Sequence, residues 1–104
     1  MASVETREEV VNRLEQEAGR LLTFGVRRLR LFGSFARQEA SRGSDVDLLV
    51  DFFSEAKTFD NFMGLAEFLE GILNRHVELV TPESLSPYLG PSILAEARDV
   101  SLVA

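Results

Sequence analysis

Two short segments carry the residues that could do chemistry: Gly33-Ser34 and, after ten intervening residues, Asp45-Val46-Asp47. Glycine lets a phosphate approach the main chain closely, and serine adds a hydroxyl donor that can also cap a following helix. Carboxylates two apart on a strand share a face and can hold a hard divalent cation such as Mg2+. A phosphate cradle followed by a cation-holding pair outlines nucleotidyl transfer. Each half alone is ordinary, because Gly-Ser is common turn chemistry and an isolated Asp-x-Asp is often solvated. Leu48-Leu49-Val50 follows the acids directly. A carboxylate leading into a buried strand is costly to desolvate unless a cation or donor compensates it, so Asp47 wants a partner.

A third ligand is needed, and Asp51 and Glu78 are the candidates. Asp51 shares the face of Asp47 but lies about 13 Å along the strand, beyond reach of a common ion. Glu78 interrupts the apolar run Val77-Glu78-Leu79-Val80 and is the favoured choice if that strand neighbours the aspartate strand. Arg37 and Arg42 flank the motif, and a guanidinium matches phosphate geometry; Arg37 is the expected phosphate contact and Arg42 a surface charge. His76, the sole histidine, lies two residues before Glu78 and reads as a capping residue at a helix-to-strand boundary.

These residues must be positioned by the elements around them. Val10, Val11, Leu14, Ala18, Leu21 and Leu22 recur at helical spacing, predicting one amphipathic helix over Thr6–Leu22, with Thr6 and Glu9 as a capping box and Gly25 closing it. Val26–Phe32 predicts a strand with Leu29 and Leu31 on its buried face and Arg28 and Arg30 on the other. A short helix over Ser34–Glu39, a polar loop to Ser44 and a central strand over Val46–Phe53 follow. Phe59–Leu73 predicts a second amphipathic helix and His76–Val80 a third strand. Thr81-Pro82 opens a further helix, Ser92–Ala97 another, and Val100–Val103 an edge strand.

Composition sets limits. At 104 residues, 45% apolar with three prolines, the chain is expected to form a single domain over residues 1–104, too short for a catalytic domain plus a separate acceptor-binding domain. A net charge of −6 argues against broad attachment to nucleic acid, which requires clustered Lys and Arg. The absence of cysteine excludes disulfides, thiolate metal sites and thiol nucleophiles. The charged N-terminal stretch lacks a signal core and no apolar run is long enough to span a membrane, so a cytoplasmic location is expected.

Gly33-Ser34, Asp45-x-Asp47 and the later acid in Val-Glu-Leu-Val-Thr-Pro-Glu-Ser-Leu together resemble the minimal nucleotidyltransferases of the DNA polymerase β superfamily. The resemblance covers nearly the whole chain. It implies an α/β (α+β) nucleotidyltransferase fold, a small mixed sheet with helices mainly on one face. It also implies Mg2+, with two ions, on Asp45, Asp47 and Glu78, with Asp45 and Asp47 catalytic, and ATP phosphates on Gly33, Ser34 and Arg37. Chains of this size resemble the antitoxins of toxin–antitoxin pairs, which transfer AMP to a tyrosine of a HEPN-domain toxin; such a toxin is the implied partner. The family's third acid is commonly aspartate, and Glu78 departs from it. That departure leaves open a non-catalytic, toxin-binding antitoxin, and transfer to a small molecule is a further alternative.

Overall fold

The computed structural model describes residues 2–103. Helices α1 (Arg7–Gln16) and α2 (Ala18–Thr23) lead into strand β1 (Val26–Phe32), the four-residue helix α3 (Gly33–Ala36) and strand β2 (Val46–Phe52). Helix α4 (Phe59–Leu73), strand β3 (Val77–Val80), helix α5 (Gly90–Glu96) and strand β4 (Arg98–Val100) complete the chain. The sheet order is β3-β2-β1-β4. β1 runs antiparallel to β2 and β4, while β2 and β3 are parallel and are joined through α4, the crossover a parallel pair requires. The sheet is therefore mixed, as expected.

The two sheet faces differ in kind. Leu29, Leu31, Val46, Leu48, Val50, Val77 and Leu79 point to one side, where they form a core with Val10 and Leu14 of α1, Leu21 of α2, and Leu65, Leu69 and Leu73 of α4. The pairing register places Asp47 beside Glu78, Phe32 beside Asp47 and Arg28 beside Asp51 on the opposite side. Alternation along each strand thus sends aliphatic residues under the helices and leaves the chemistry on the other face.

Several boundaries differ from the pattern-based expectation for local reasons. The first helix breaks at Glu17, whose backbone (φ −102, ψ 18) leaves the helical region. Thr6 Oγ1 accepts the Glu9 N–H at 3.1 Å, and Gly25, at φ +81, follows the α2 terminus. Gln38, at φ 61, stops α3 short. Asn74, in the left-handed region at φ 50, caps α4, a role expected of His76. Thr81-Pro82 opens only a three-residue 3-10 turn, Pro82–Ser84, because Ser84 and Leu85 bond back to Thr81 and Pro82 and no longer helix continues. The last strand begins at Arg98, two residues earlier than expected. Arg30 is 9% exposed, not a solvated residue, because β1 is an interior strand and Asp51 on β2 accepts from its Nη2 at 3.1 Å.

Candidate active site

The site is assembled where β1 ends, β2 begins and β3 runs beside it. Phe32 pairs with Asp47, and the next residue, Gly33, turns the chain into α3 at φ +74. A Cβ built on Gly33 would stand 2.1 Å from Asp47 Oδ2. Both backbone conformation and space therefore require glycine, and an aspartate oxygen lies directly against the main chain. Ser34 sits inside the first turn of α3 instead of at its cap; Phe32 is the capping residue and no side chain bonds there.

On the next strands, Val46 pairs with Val77 and Asp47 with Glu78 in parallel register. Asp-Val-Asp thereby lies alongside His-Val-Glu, with both valines in the core and the four polar residues on one face. One oxygen each from Asp45 and Glu78 and one His76 ring nitrogen lie within 4.8 Å of one another. Asp51 is remote from this group and pairs with Arg30 at 3.1 Å and Arg27 at 4.0 Å.

Asp47 is half-buried, and its carboxyl is pushed up to about 6, first by burial and then by the neighbouring charges of Asp45 and Glu78; Arg37 opposes the shift. Among the described residues it has no direct ion pair. A carboxylate held among carboxylates in a partly desolvated place calls for a cation. The donors Asp45, Asp47 and Glu78 are oxygens of the kind that hard divalent ions take, so the residues fit Mg2+.

The cradle side is arranged differently. The Gly33 N–H donates to Glu96 Oε2 at 2.7 Å, and Arg37 Nη1 donates to both oxygens of Glu96 at 3.1 and 3.2 Å. Arg37 Nε reaches Glu39 at 2.7 Å, and together these carboxylates raise the Arg37 guanidinium above its ordinary value. A cavity of about 240 Å³ adjoins this cluster, walled by Phe32, Leu89 and Ile93.

Three contributors were not legible as site residues. Glu96 lies 63 residues beyond Gly33 and has no motif. Arg75 donates to the Ser41, Arg42 and Ser44 carbonyls at 3.1, 3.1 and 2.8 Å, fixing the loop that delivers Asp45, and its guanidinium stacks 5.1 Å from the Phe35 ring centroid. Glu70, on α4, accepts the Val77 N–H at 3.0 Å, and its Oε2 lies 2.8 Å from His76 Nδ1. Only the proximity of Arg75 and His76 to Glu78 in sequence hinted at any of this. Arg42 contributes a carbonyl to the Arg75 contacts.

The model of the nucleotidyltransferase domain family matches residues 8–100. The chain belongs to that family. It is a nucleotidyltransferase 44% identical over 73 residues to the protein adenylyltransferase MntA of Thermococcus cleftensis, covering 70% of this chain and 73% of that protein. A solved structure assigned as a minimal nucleotidyltransferase superposes with a TM-score of 0.79 at 37% identity, covering 93% of this chain and 98% of the other. The nucleotidyltransferase fold is shared at 20% identity by an MNT antitoxin solved with a tri-AMPylated HEPN toxin of Shewanella oneidensis (TM-score 0.60; 92% and 72% covered). No helix among the described residues is long and apolar enough to cross a membrane.

Proposed function

We propose that this nucleotidyltransferase moves AMP from ATP to a tyrosine hydroxyl of a HEPN-domain toxin, in the cytoplasm and with Mg2+, and so acts as the toxin's antitoxin. The observation that carries the reading is the register that sets Asp47 beside Glu78, with Asp45 clustered on Glu78 and Asp47 closely approaching Gly33. The likeness to the Thermococcus adenylyltransferase supports the protein acceptor.

In this reading the acceptor oxygen bonds to the α-phosphorus of ATP, the bond from that phosphorus to the β-phosphate bridge breaks, pyrophosphate leaves, and the hydroxyl proton passes to solvent. Asp45, Asp47 and Glu78 would hold two Mg2+ ions, which when bound supply Lewis acidity to the attacking and leaving oxygens. Gly33 gives the nucleotide phosphates close access to the main chain, the Ser34 hydroxyl donates to them, and Arg37 faces the charge that accumulates on pyrophosphate. Half-burial of Asp47 limits the water competing for these contacts.

The test uses α-labelled ATP, Mg2+ and, as candidate acceptor, the product of the neighbouring gene. Label on that protein with wild type, absent with the Asp45→Asn/Asp47→Asn variant, is expected. A binding-only antitoxin is the second reading, favoured by Glu96 holding the Gly33 N–H. Toxin inhibition by the double variant without ATP would select it.

A further inference from the structure

We propose that His76 joins Asp45 and Glu78 as a donor of the cation site, giving this chain a mixed oxygen and nitrogen site able to take a transition-series divalent ion such as Mn2+ as well as Mg2+. The inference rests on the reading of Asp45, Asp47 and Glu78 as cation-holding residues and extends it to the identity of the ion.

The argument is one of register and orientation. Val46 faces Val77 at the start of the parallel pair, and the Val46 N–H donates to the His76 carbonyl at 2.9 Å, which holds Asp45 near His76. The ring nitrogen therefore enters the same group as the Asp45 and Glu78 oxygens, within 4.8 Å. The ring is also oriented. Nδ1 lies 2.8 Å from Glu70 Oε2, an acceptor that the Val77 N–H already anchors at 3.0 Å. The other ring nitrogen, Nε2, lies on the donor side, 3.9 Å from Glu78 Oε2.

Glu70 lies outside the donor group and comes from α4, so a separate element sets the ring. A carboxylate holding the far nitrogen of a ligating histidine fixes its tautomer and raises its basicity, the arrangement found behind histidine ligands generally. Imidazole suits transition ions, whereas Mg2+ prefers oxygen donors and retains its waters. Access exists as well: a cleft of about 430 Å³ opens beside Asp45 and His76, lined by Ser44, Asn74 and Arg75.

The experiment is carried out on the purified, metal-stripped full chain without nucleotide or partner. Mn2+ and Mg2+ binding are measured by calorimetry for wild type, His76→Ala and Glu70→Gln, and the Mn2+ form is examined by pulsed electron paramagnetic resonance for coupling to a ring nitrogen. His76 is largely exposed, so its truncation should leave the circular dichroism and melting curve unchanged. We expect nitrogen coupling in wild type and none in His76→Ala. That variant should lose roughly tenfold or more in Mn2+ affinity with Mg2+ affinity nearly unchanged, and Glu70→Gln should fall between.

Absence of Mn2+ binding, absence of nitrogen coupling, or equal losses for both ions would overturn the inference. The functional reading fails separately. Nitrogen-coupled Mn2+ in a protein that transfers no nucleotide to any acceptor would uphold this inference and remove the proposed function. Mg2+-supported transfer without nitrogen coupling would do the opposite.

Discussion

The two halves of the candidate active site are in opposite electrostatic states. On the cradle side the chain provides its own anion: Glu96 takes the Gly33 N–H and one edge of Arg37. On the strand side, the described residues provide no cation in direct contact with Asp47. A third acid sharpens the contrast, since Asp51, four residues along the same strand, is held by Arg30 and Arg27. An acid whose counter-charge is built in is structural, and one left among other acids must be neutralised from outside. The difference separates Asp47 from Asp51 where residue type and strand face do not.

The largest effect should come from removing the outside-facing charges. Asp45→Asn and Asp47→Asn should each lower nucleotide transfer by about a thousandfold or more, given the usual weight of positioned charge at a phosphoryl-transfer centre, with the fold intact by circular dichroism. Asp51→Asn should do the reverse: it strands the Arg30 guanidinium, whose Nε already has no hydrogen-bond partner among the described residues. Stability should fall by about 2–4 kcal/mol in urea titrations, and transfer measured well below the melting temperature should hardly change. If Asp51→Asn abolished transfer in folded protein, the division between the two acids would collapse.

Asp47 also makes a pH prediction. Its carboxyl titrates at about 6 in the folded chain against 3.8 as the ordinary value. Raising an acid's value disfavours its charged form in the folded state. The contribution of Asp47 is therefore full below about pH 4 and lost as pH climbs through 6. A shift of that size would correspond to about 3 kcal/mol if shielded, and exposure to solvent reduces the expectation to about 1 kcal/mol. In metal-free buffer, wild-type stability minus that of Asp47→Asn should decline between pH 4 and 7. A flat difference would mean that the charge is already compensated.

The smallest effect belongs to the cradle. Glu96→Gln should tighten binding of a non-hydrolysable ATP analogue roughly threefold, because a partly exposed ion pair is worth under about 1 kcal/mol and the phosphate no longer competes with a carboxylate. Weaker binding would instead make Glu96 a support that holds Arg37 in place.

Much of this was visible in the chain itself. The α4 boundaries and the three strands that carry the site follow from period-two and period-3.6 patterns, which report burial directly, whereas the pairing of the aspartate strand with the glutamate strand is only a condition on choosing Glu78 that the structure meets. Glu78 could be nominated because an acid inside Val77-Glu78-Leu79-Val80 breaks the pattern. Glu96, Arg75 and Glu70 break none: each lies in a polar position of a helix or turn, and its role arises from long-range placement that local periodicity does not encode. Arg30 misled for a related reason, since alternation marks the face a residue takes but not what the neighbouring strand puts there.

The parallel pairing of β2 and β3 also guards the site against error. Sliding β3 by one residue would turn Glu78 and His76 into the space beneath α4 and push Val77 and Leu79 out beside Asp47, at the cost of stranding charges and exposing two core side chains. The donor set is thus checked by the oil-like side of the same strand. A one-residue insertion between Asn74 and Val77 would have to be absorbed in that short connection, or the molecule would lose its core and its chemistry in one step.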